Sequence, residues 1–375
     1  MKITDIQTFV MGVAGRNWTF VKINTDEQIH GWGEATMEWH EPAVVEGIKI
    51  MTPLLIGHDP TRIEKIWQTL FRHHWWRQNV AMNSAISGID QALWDITGKV
   101  FGQPVYRILG GACHERVRLY ARGDLGLGSP VKEAEAALKE GFTAFKGGVE
   151  IGTIFDSKSQ VRKISQDCLA IEKAVGRDME LMLDLQGVFE FNDILEMVRG
   201  LQGRNLLWLE EPVPALTLDQ MIRLVAANLG VRFSLGERLC SRWEFKEVLE
   251  QRAADIIQPD ICHTGGISEI RRIASYAEIF GIPVAPHNPL GPVALAASVH
   301  AAAAMPNFMI LEYCRRSPLF SQVQKQGVRI KDGFAELPNQ PGLGVELDES
   351  LIWKHPYRQM PLRMWVKSDG TIPMI

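Results

Sequence analysis

The rhythm of hydrophobic and polar positions changes near residue 113. Before it, "KITDIQTFVM", "WTFVKINTDE" and "IHGWGEA" read as short strands separated by turn residues, the opening of an antiparallel sheet. From about Pro42 to Phe101 the period becomes helical. Ile86, Ile89, Leu93 and Ile96 recur at helical spacing within "SAISGIDQALWDITGKVFGQPV", and Gly102 with Pro104 ends the run. The pattern predicts an α+β unit over residues 1–113.

After "LGGACHERV", short apolar runs alternate with helical segments. "VRLYARG", "FTAFKGG", "MELMLDLQG", "NLLWLEEP", "VRFSLGE", "ADIIQPDI", "IPVAPHN" and "FMILEYC" read as strands, with helices between most of them. A repeat of about 25–30 residues this regular predicts a parallel α/β barrel and argues against an open sheet. The barrel is expected over residues 114–335. The tail, residues 336–375 with "PGLGVELDESLIWK", is expected to return and complete the N-terminal unit.

Composition narrows the function. Hydrophobic residues make up 46% and charged residues 22%, enough to bury a sizeable core. The net charge of −4 and scattered lysines and arginines offer no field for nucleic acid or an anionic membrane. A small anionic substrate remains compatible with this balance, because local positive charge or a metal can hold it. "MKITDIQTFVMG" lacks the basic start and apolar core of a signal peptide, and no stretch reaches the roughly 20 apolar residues of a membrane span. The five cysteines (113, 168, 240, 262 and 314) are odd in number and contain no CxxC pair, against a disulfide framework or structural zinc. A cytoplasmic location is expected.

Polar residues gather at the C-terminal ends of the expected strands: Lys146, Asp184, Glu210, Glu237, Asp260, His287 and Glu312. In an α/β barrel those ends converge on one mouth, where active sites of this fold sit. Asp184, Glu210 and Glu237 lie 26 and 27 residues apart, one repeat each. Three converging carboxylates repel unless a cation sits among them, and an all-oxygen set favours Mg²⁺ over zinc. Lys146 would add positive charge facing a bound carboxylate. Glu211 must point elsewhere, because neighbouring strand residues alternate.

His287 beside Asp260 has the form of a general base whose tautomer an acid fixes. Glu312 suits either of two roles: hydrogen-bonding a developing oxyanion if protonated, or holding a substrate hydroxyl if ionised. His263 is a weaker candidate for lining the pocket. These parts fit removal of a proton α to a metal-bound carboxylate, with charge developing as an enediolate. No G-x-S-x-G elbow and no phosphate-binding glycine loop is present; "GGACHE" and "HTGGIS" match neither pattern.

At these residues the chain resembles the enolase superfamily, in its mandelate-racemase-like branch and most closely the D-galactonate dehydratases. The resemblance runs nearly end to end, through "MKIT", "INTDE" with "GWGE", "AISGIDQALWDITGK", "LEEPV", "GERLCSRWEFKEVLE", "IIQPDICHTGGISE", "APHNPLGPVALAA" and "QPGLGVELDE". It implies a capping domain completed by the tail and a modified (β/α)₇β barrel. It also implies Mg²⁺ on Asp184, Glu210 and Glu237, the His287–Asp260 dyad, and Glu312 near the enediolate oxygen. The implied reaction is dehydration of a sugar acid to a 2-keto-3-deoxy acid, and the implied assembly is a homo-oligomer, dimer or octamer. Specificity would come partly from capping loops: Arg16–Trp18, or the stretches "MEWHEP" and "RHHWWRQN", whose aromatics equally suit interdomain packing.

Gln186 departs from the resemblance. Galactonate dehydratases carry His there, similar to a general acid for the departing hydroxyl, and Gln cannot donate a proton at useful rates. Gly148 likewise stands where the racemases have a second lysine base, which disfavours a two-base racemase. Two solutions remain: syn dehydration in which His287 serves as base and then acid, or epimerisation or opening of a lactone or anhydro sugar that needs little acid help. The first is favoured. A homologue that only binds sugar acids is a third reading, disfavoured by the intact triad and dyad.

Overall fold

The computed structural model describes the chain except residues 74, 77, 78, 124, 125, 149–152, 216, 316, 363 and 375 and the side chain of His73. Three N-terminal strands, β1 (Ile3–Val13), β2 (Arg16–Thr25) and β3 (His30–Glu34), form an antiparallel sheet in that order. Helices α1 (Glu41–Met51), α2 (Ile63–His73) and α3 (Val80–Val100) pack with it. Asn79 caps α3 by accepting from the backbone N–H groups of Ala81 and Met82. The glycines of "HGWGE" have a steric cause. A Cβ at Gly31 or Gly33 would strike the α3 backbone at Ala92 or Gly88, so only glycine lets helix and strand approach this closely.

Strands β4 (Arg116–Arg122), β5 (Ala144–Gly148), β6 (Glu180–Asp184), β7 (Leu206–Glu210), β8 (Phe233–Leu235) and β9 (Ile256–Ile257) pair in parallel succession. Strand β10 (Leu311–Tyr313) pairs with β4. Helices follow in turn: α4 (Pro130–Lys139), α5 (Ser157–Val175), α6 (Phe191–Gly200), α7 (Leu218–Ala226), α8 (Arg242–Glu250), α9 (Gly266–Ile279) and α10 (Pro292–Ala303). The expected seventh strand, "IPVAPHN", forms no continuous ladder. Pro283 and Pro286 lack the N–H a ladder needs, so it is joined by isolated bridges: Val284 to Ile257 and Phe308, and His287 to Asp260. Those bridges close the circle, and the architecture is an α/β barrel with an α+β cap.

Tyr120, Ala144, Met182, Trp208 and Ile256 are all fully buried in one cluster inside the barrel. With a period of two, the residues two further along β4 to β7 share that inward face: Arg122, Lys146, Asp184 and Glu210. Register places them side by side, with Arg122 opposite Lys146 and Asp184 opposite Glu210. The apolar layer is thus the floor of a charged mouth.

The tail crosses the cap. Gly12 N–H donates to the His355 carbonyl, Asn17 exchanges hydrogen bonds with the Arg358 backbone, and Lys22 pairs with Glu349. Val366–Lys367 then pairs in parallel with Ile154–Phe155. Glu346 receives His30 and Trp32, each at 3.0 Å. Burial alone would raise its carboxyl, but these two donors outweigh it and hold the pKa down at about 2. A depressed carboxylate pKa gives stability that is full above the unfolded value of 4.5 and is lost as pH falls toward 2. Glu346→Gln is therefore expected to cost about 1 kcal/mol at pH 7, discounted for the half-exposed side chain. Urea denaturation of both proteins should show the difference shrinking between pH 4.5 and 2.

Candidate active site

Each strand tip delivers its carboxylate by a local device. Asp184 ends β6, and Gln186 just beyond it takes a left-handed conformation (φ 55°), turning the chain sharply outward. The Gln186 N–H donates to Asp184 Oδ1 at 3.1 Å, and its carbonyl accepts from Arg238 at 3.0 Å. After Glu210, Glu211 makes a similar turn (φ 40°) and pairs with Arg238 at 2.9 Å, but it does not leave the cluster as alternation alone predicts. It stays buried, and burial with the charges of Glu237 and Asp184 pushes its carboxyl well up despite Arg238. After β8, Gly236 sits at φ 139°, where a Cβ would crowd the Gln258 backbone and the Phe245 ring. That turn presents Glu237.

Asp184, Glu210 and Glu237 each offer an oxygen within 4.8 Å of the others. Glu210 is anchored on its far oxygen by Gln258 at 2.7 Å and Trp208 at 3.1 Å, while Lys146 Nζ lies 2.7 Å from its near one. Burial, with Glu237 nearby, pushes the Asp184 carboxyl upward despite the opposing pull of Lys146. The donors are all carboxylate oxygens, and the set fits a hard divalent cation.

His287 stands opposite. Its Nδ1 lies 2.8 Å from Asp260 Oδ2, which fixes Nδ1 as the donor and turns Nε2 toward the carboxylates, 3.2 Å from Glu237. Asp260 is fully buried and its second oxygen accepts the Cys262 N–H at 2.6 Å. Burial opposes charge on His287, but Glu237, Glu312 and Asp260 outweigh it and raise its pKa to about 10. A cation held by Glu237 would offset the largest of these lifts and so favour the neutral imidazole, whose Nε2 can accept a proton.

Glu312 accepts the Asn288 N–H at 3.1 Å and lies 3.2 Å from Lys146. Burial would raise its carboxyl, yet Lys146, His287 and Arg122 hold it down at about 2. Of the two roles open to it, the ionised one fits this environment. Lys146 is buried between Glu210 and Glu312, whose charges overcome the cost of burial and keep its ammonium well above the usual pKa.

The cap supplies the roof. Arg16, nearly buried, donates to the Pro289 carbonyl and pairs with Glu38 at 3.0 Å. Burial would raise Glu38, but Arg16, His263 and His287 lower it, which places this carboxylate over the mouth. His263 is held by Ser84 of α3 at 2.9 Å. Trp18 is buried against Phe20 and Phe320 in the shared core. In "MEWHEP" Trp39 is partly exposed; of "RHHWWRQN", His74, Arg77, Gln78 and the His73 side chain lie outside the described residues.

Two site groups escaped the sequence reading. Arg122, 3.7 Å from Glu312, shares the inward face of Tyr120, and the alternation in "LYAR" was the signal for it. Glu38 lies in "MEWHEP", which the sequence offers as a capping stretch without marking this carboxylate, because its position depends on how the cap docks.

Residues 2–110 match the mandelate racemase/muconate lactonizing enzyme N-terminal domain, and residues 130–351 the enolase C-terminal domain-like family. The chain belongs to the enolase superfamily. It is a member of its mandelate racemase/muconate lactonizing enzyme family. D-galactonate dehydratase of Variovorax paradoxus (strain S110) is 38% identical over 99% of both chains. An enolase from Agrobacterium radiobacter, solved with sodium and L-malate bound, superposes at a TM-score of 0.92 with 32% identity over all of both chains. Another from Pantoea ananatis, solved with bound D-gluconate and magnesium, gives 0.91 and 28%, again over all of both. No helix among the described residues is long and apolar enough to cross a membrane.

Proposed function

We propose that this enzyme is a hydro-lyase that dehydrates a sugar acid, with Mg²⁺ held by Asp184, Glu210 and Glu237. The observation that carries this reading is the orientation of His287: Nδ1 fixed on Asp260, Nε2 facing the carboxylate cluster across the mouth. The dehydratase relative and the gluconate- and magnesium-bound neighbour support both substrate class and metal. When bound, the ion supplies positive charge against which negative charge develops as the α-proton leaves. His287 takes that proton. Lys146 and Arg122 add positive charge beside the substrate carboxylate, and ionised Glu312 orients a hydroxyl. Arg16 and His263, from above, meet the distal hydroxyls, and Trp18 supports that roof by packing. The same resemblance supports a homo-oligomer, dimer or octamer.

Gln186 can hold a hydroxyl but cannot protonate it. The β-hydroxyl therefore leaves from the face of His287, which returns the proton it took: a syn elimination. A panel of aldonates differing at C2 and C3 tests this by detection of 2-keto-3-deoxy acid. Turnover confined to substrates with proton and hydroxyl on one face is expected; isomer without keto acid would favour the epimerase or cycloisomerase reading. Gln186→His should raise D-galactonate dehydration by about 10²-fold or more, the usual worth of a general acid. No gain in a variant that still turns over its own substrate would show that the missing acid is not what separates this chain from that reaction.

A further inference from the structure

Away from the mouth, a cleft of about 1030 Å³ opens between α2 of the cap and α8 and α9 of the barrel. None of the mouth's carboxylates or dyad residues lines it, and Glu64 is the one acid among the lining residues. Six cations do: Arg62, Lys65, Arg242, Lys246, Arg271 and Arg272. This is a local reversal in a chain whose net charge is −4.

The nearby acids do not balance them. Glu64 and Glu269 pair with Arg272, Glu269 also lies 3.5 Å from Arg242, and Glu250 is 3.9 Å from Lys246. Among the described residues no carboxylate lies at ion-pair distance from Arg62, Lys65 or Arg271. Arg271 donates to the Leu109 carbonyl at 2.8 Å. Burial and the like charge of Arg272 both disfavour its guanidinium charge. Asp90, which accepts from the Ser268 hydroxyl behind the cleft wall, has its carboxyl pushed up to about 7 by burial.

Some of the arginine surface is structural. Trp67, Phe71 and Trp243 stack in series, with Arg242 over Trp67 and Trp243 and Arg272 over Trp67. That packing occupies two guanidinium faces and leaves the remaining cations unexplained. Beside them runs an apolar wall of Ile63, Trp94 and Phe101, the last 60% exposed.

We propose that this cleft binds an organic phosphate, a diphosphate head on a flat ring. The head meets the unmatched guanidinium and ammonium groups, and the ring lies along the wall. Because the cations come from both domains, the ligand bridges cap and barrel and stabilises their contact. The proposal is independent of the reaction assigned to the mouth.

ADP is the probe, titrated calorimetrically into the full-length protein, with inorganic pyrophosphate as the headgroup alone. ADP is expected to bind, to bind more tightly than pyrophosphate, and to raise the melting temperature. In Arg62→Glu/Lys65→Glu, which changes two exposed side chains, affinity should fall at least about tenfold through lost charge-assisted contacts. His287→Asn should leave it unchanged. The proposal is overturned by failure of millimolar ADP to bind, by pyrophosphate binding as tightly as ADP, by undiminished affinity in the double variant, or by loss of binding in His287→Asn.

Discussion

In His287→Asn, formation of keto acid and exchange of the substrate's α-proton with solvent both fall by at least about 10⁴-fold, the upper range for a general base. Asn preserves much of the shape and can still donate to Asp260, whose oxygen lies 2.8 Å from His287 Nδ1. It has no nitrogen that accepts a proton. The variant should retain its metal, because Asp184 and Glu210 hold their places through other contacts: the Gln186 N–H on Asp184, and Trp208, Gln258 and Lys146 on Glu210. Glu237, which loses its 3.2 Å contact with His287, is still presented by the Gly236 turn. Stopped-time proton NMR in deuterium oxide measures the exchange. In a syn elimination one imidazole moves both protons, so exchange and elimination should fall together. Loss of elimination with exchange intact would instead assign the α-proton to another base.

Removing divalent metal with a chelator is expected to abolish turnover, and Mg²⁺ should restore it. The carboxylate oxygens lie within 4.8 Å of one another, and the cations beside them are shared: Lys146 divides its charge between Glu210 and Glu312, and the imidazole that meets Glu237 at 3.2 Å is the base itself. Without an ion, the mouth would meet an anionic substrate with uncompensated negative charge. Glu237 would also keep hold of the base. Both effects act on the same step, so loss should be to background and not merely partial. Full activity after exhaustive chelation, with metal analysis showing less than stoichiometric ion, would contradict the assignment of the triad.

The legible and illegible parts of this molecule separate on physical grounds. A barrel strand has a period of two and a common exit, so a polar residue ending an apolar run can be assigned to the mouth from local sequence. That logic gathered Asp184, Glu210 and Glu237, and the structure does bring their oxygens together. The same logic covers Arg122, whose inward position follows from Tyr120 two residues earlier. The seventh strand was legible as an apolar run, but the prolines that break its ladder also leave His287 and Asp260 joined by a lone bridge.

Contacts across the two domains were a different matter. Glu34 of "GWGE" ends a capping strand, yet its carboxylate is fully buried against the N–H groups of Gly291 and Ala294, at the start of α10. A Cβ on Gly291 would collide with it, so the glycine that follows "HNPL" exists for a residue 257 positions away in sequence. Glu38, reaching Arg16, is of the same kind. Such pairs depend on docking, which no local periodicity encodes.

The central claim is that the mouth removes an α-proton and expels a β-hydroxyl from one face. It is tested most directly by incubating the Mg²⁺-loaded enzyme in deuterium oxide with a panel of C2 and C3 epimeric aldonates, followed by proton NMR. At least one substrate should lose its α-proton signal while the 2-keto-3-deoxy acid appears, and that substrate should carry proton and hydroxyl on the same face. No α-proton exchange and no keto acid across the whole panel would contradict the account.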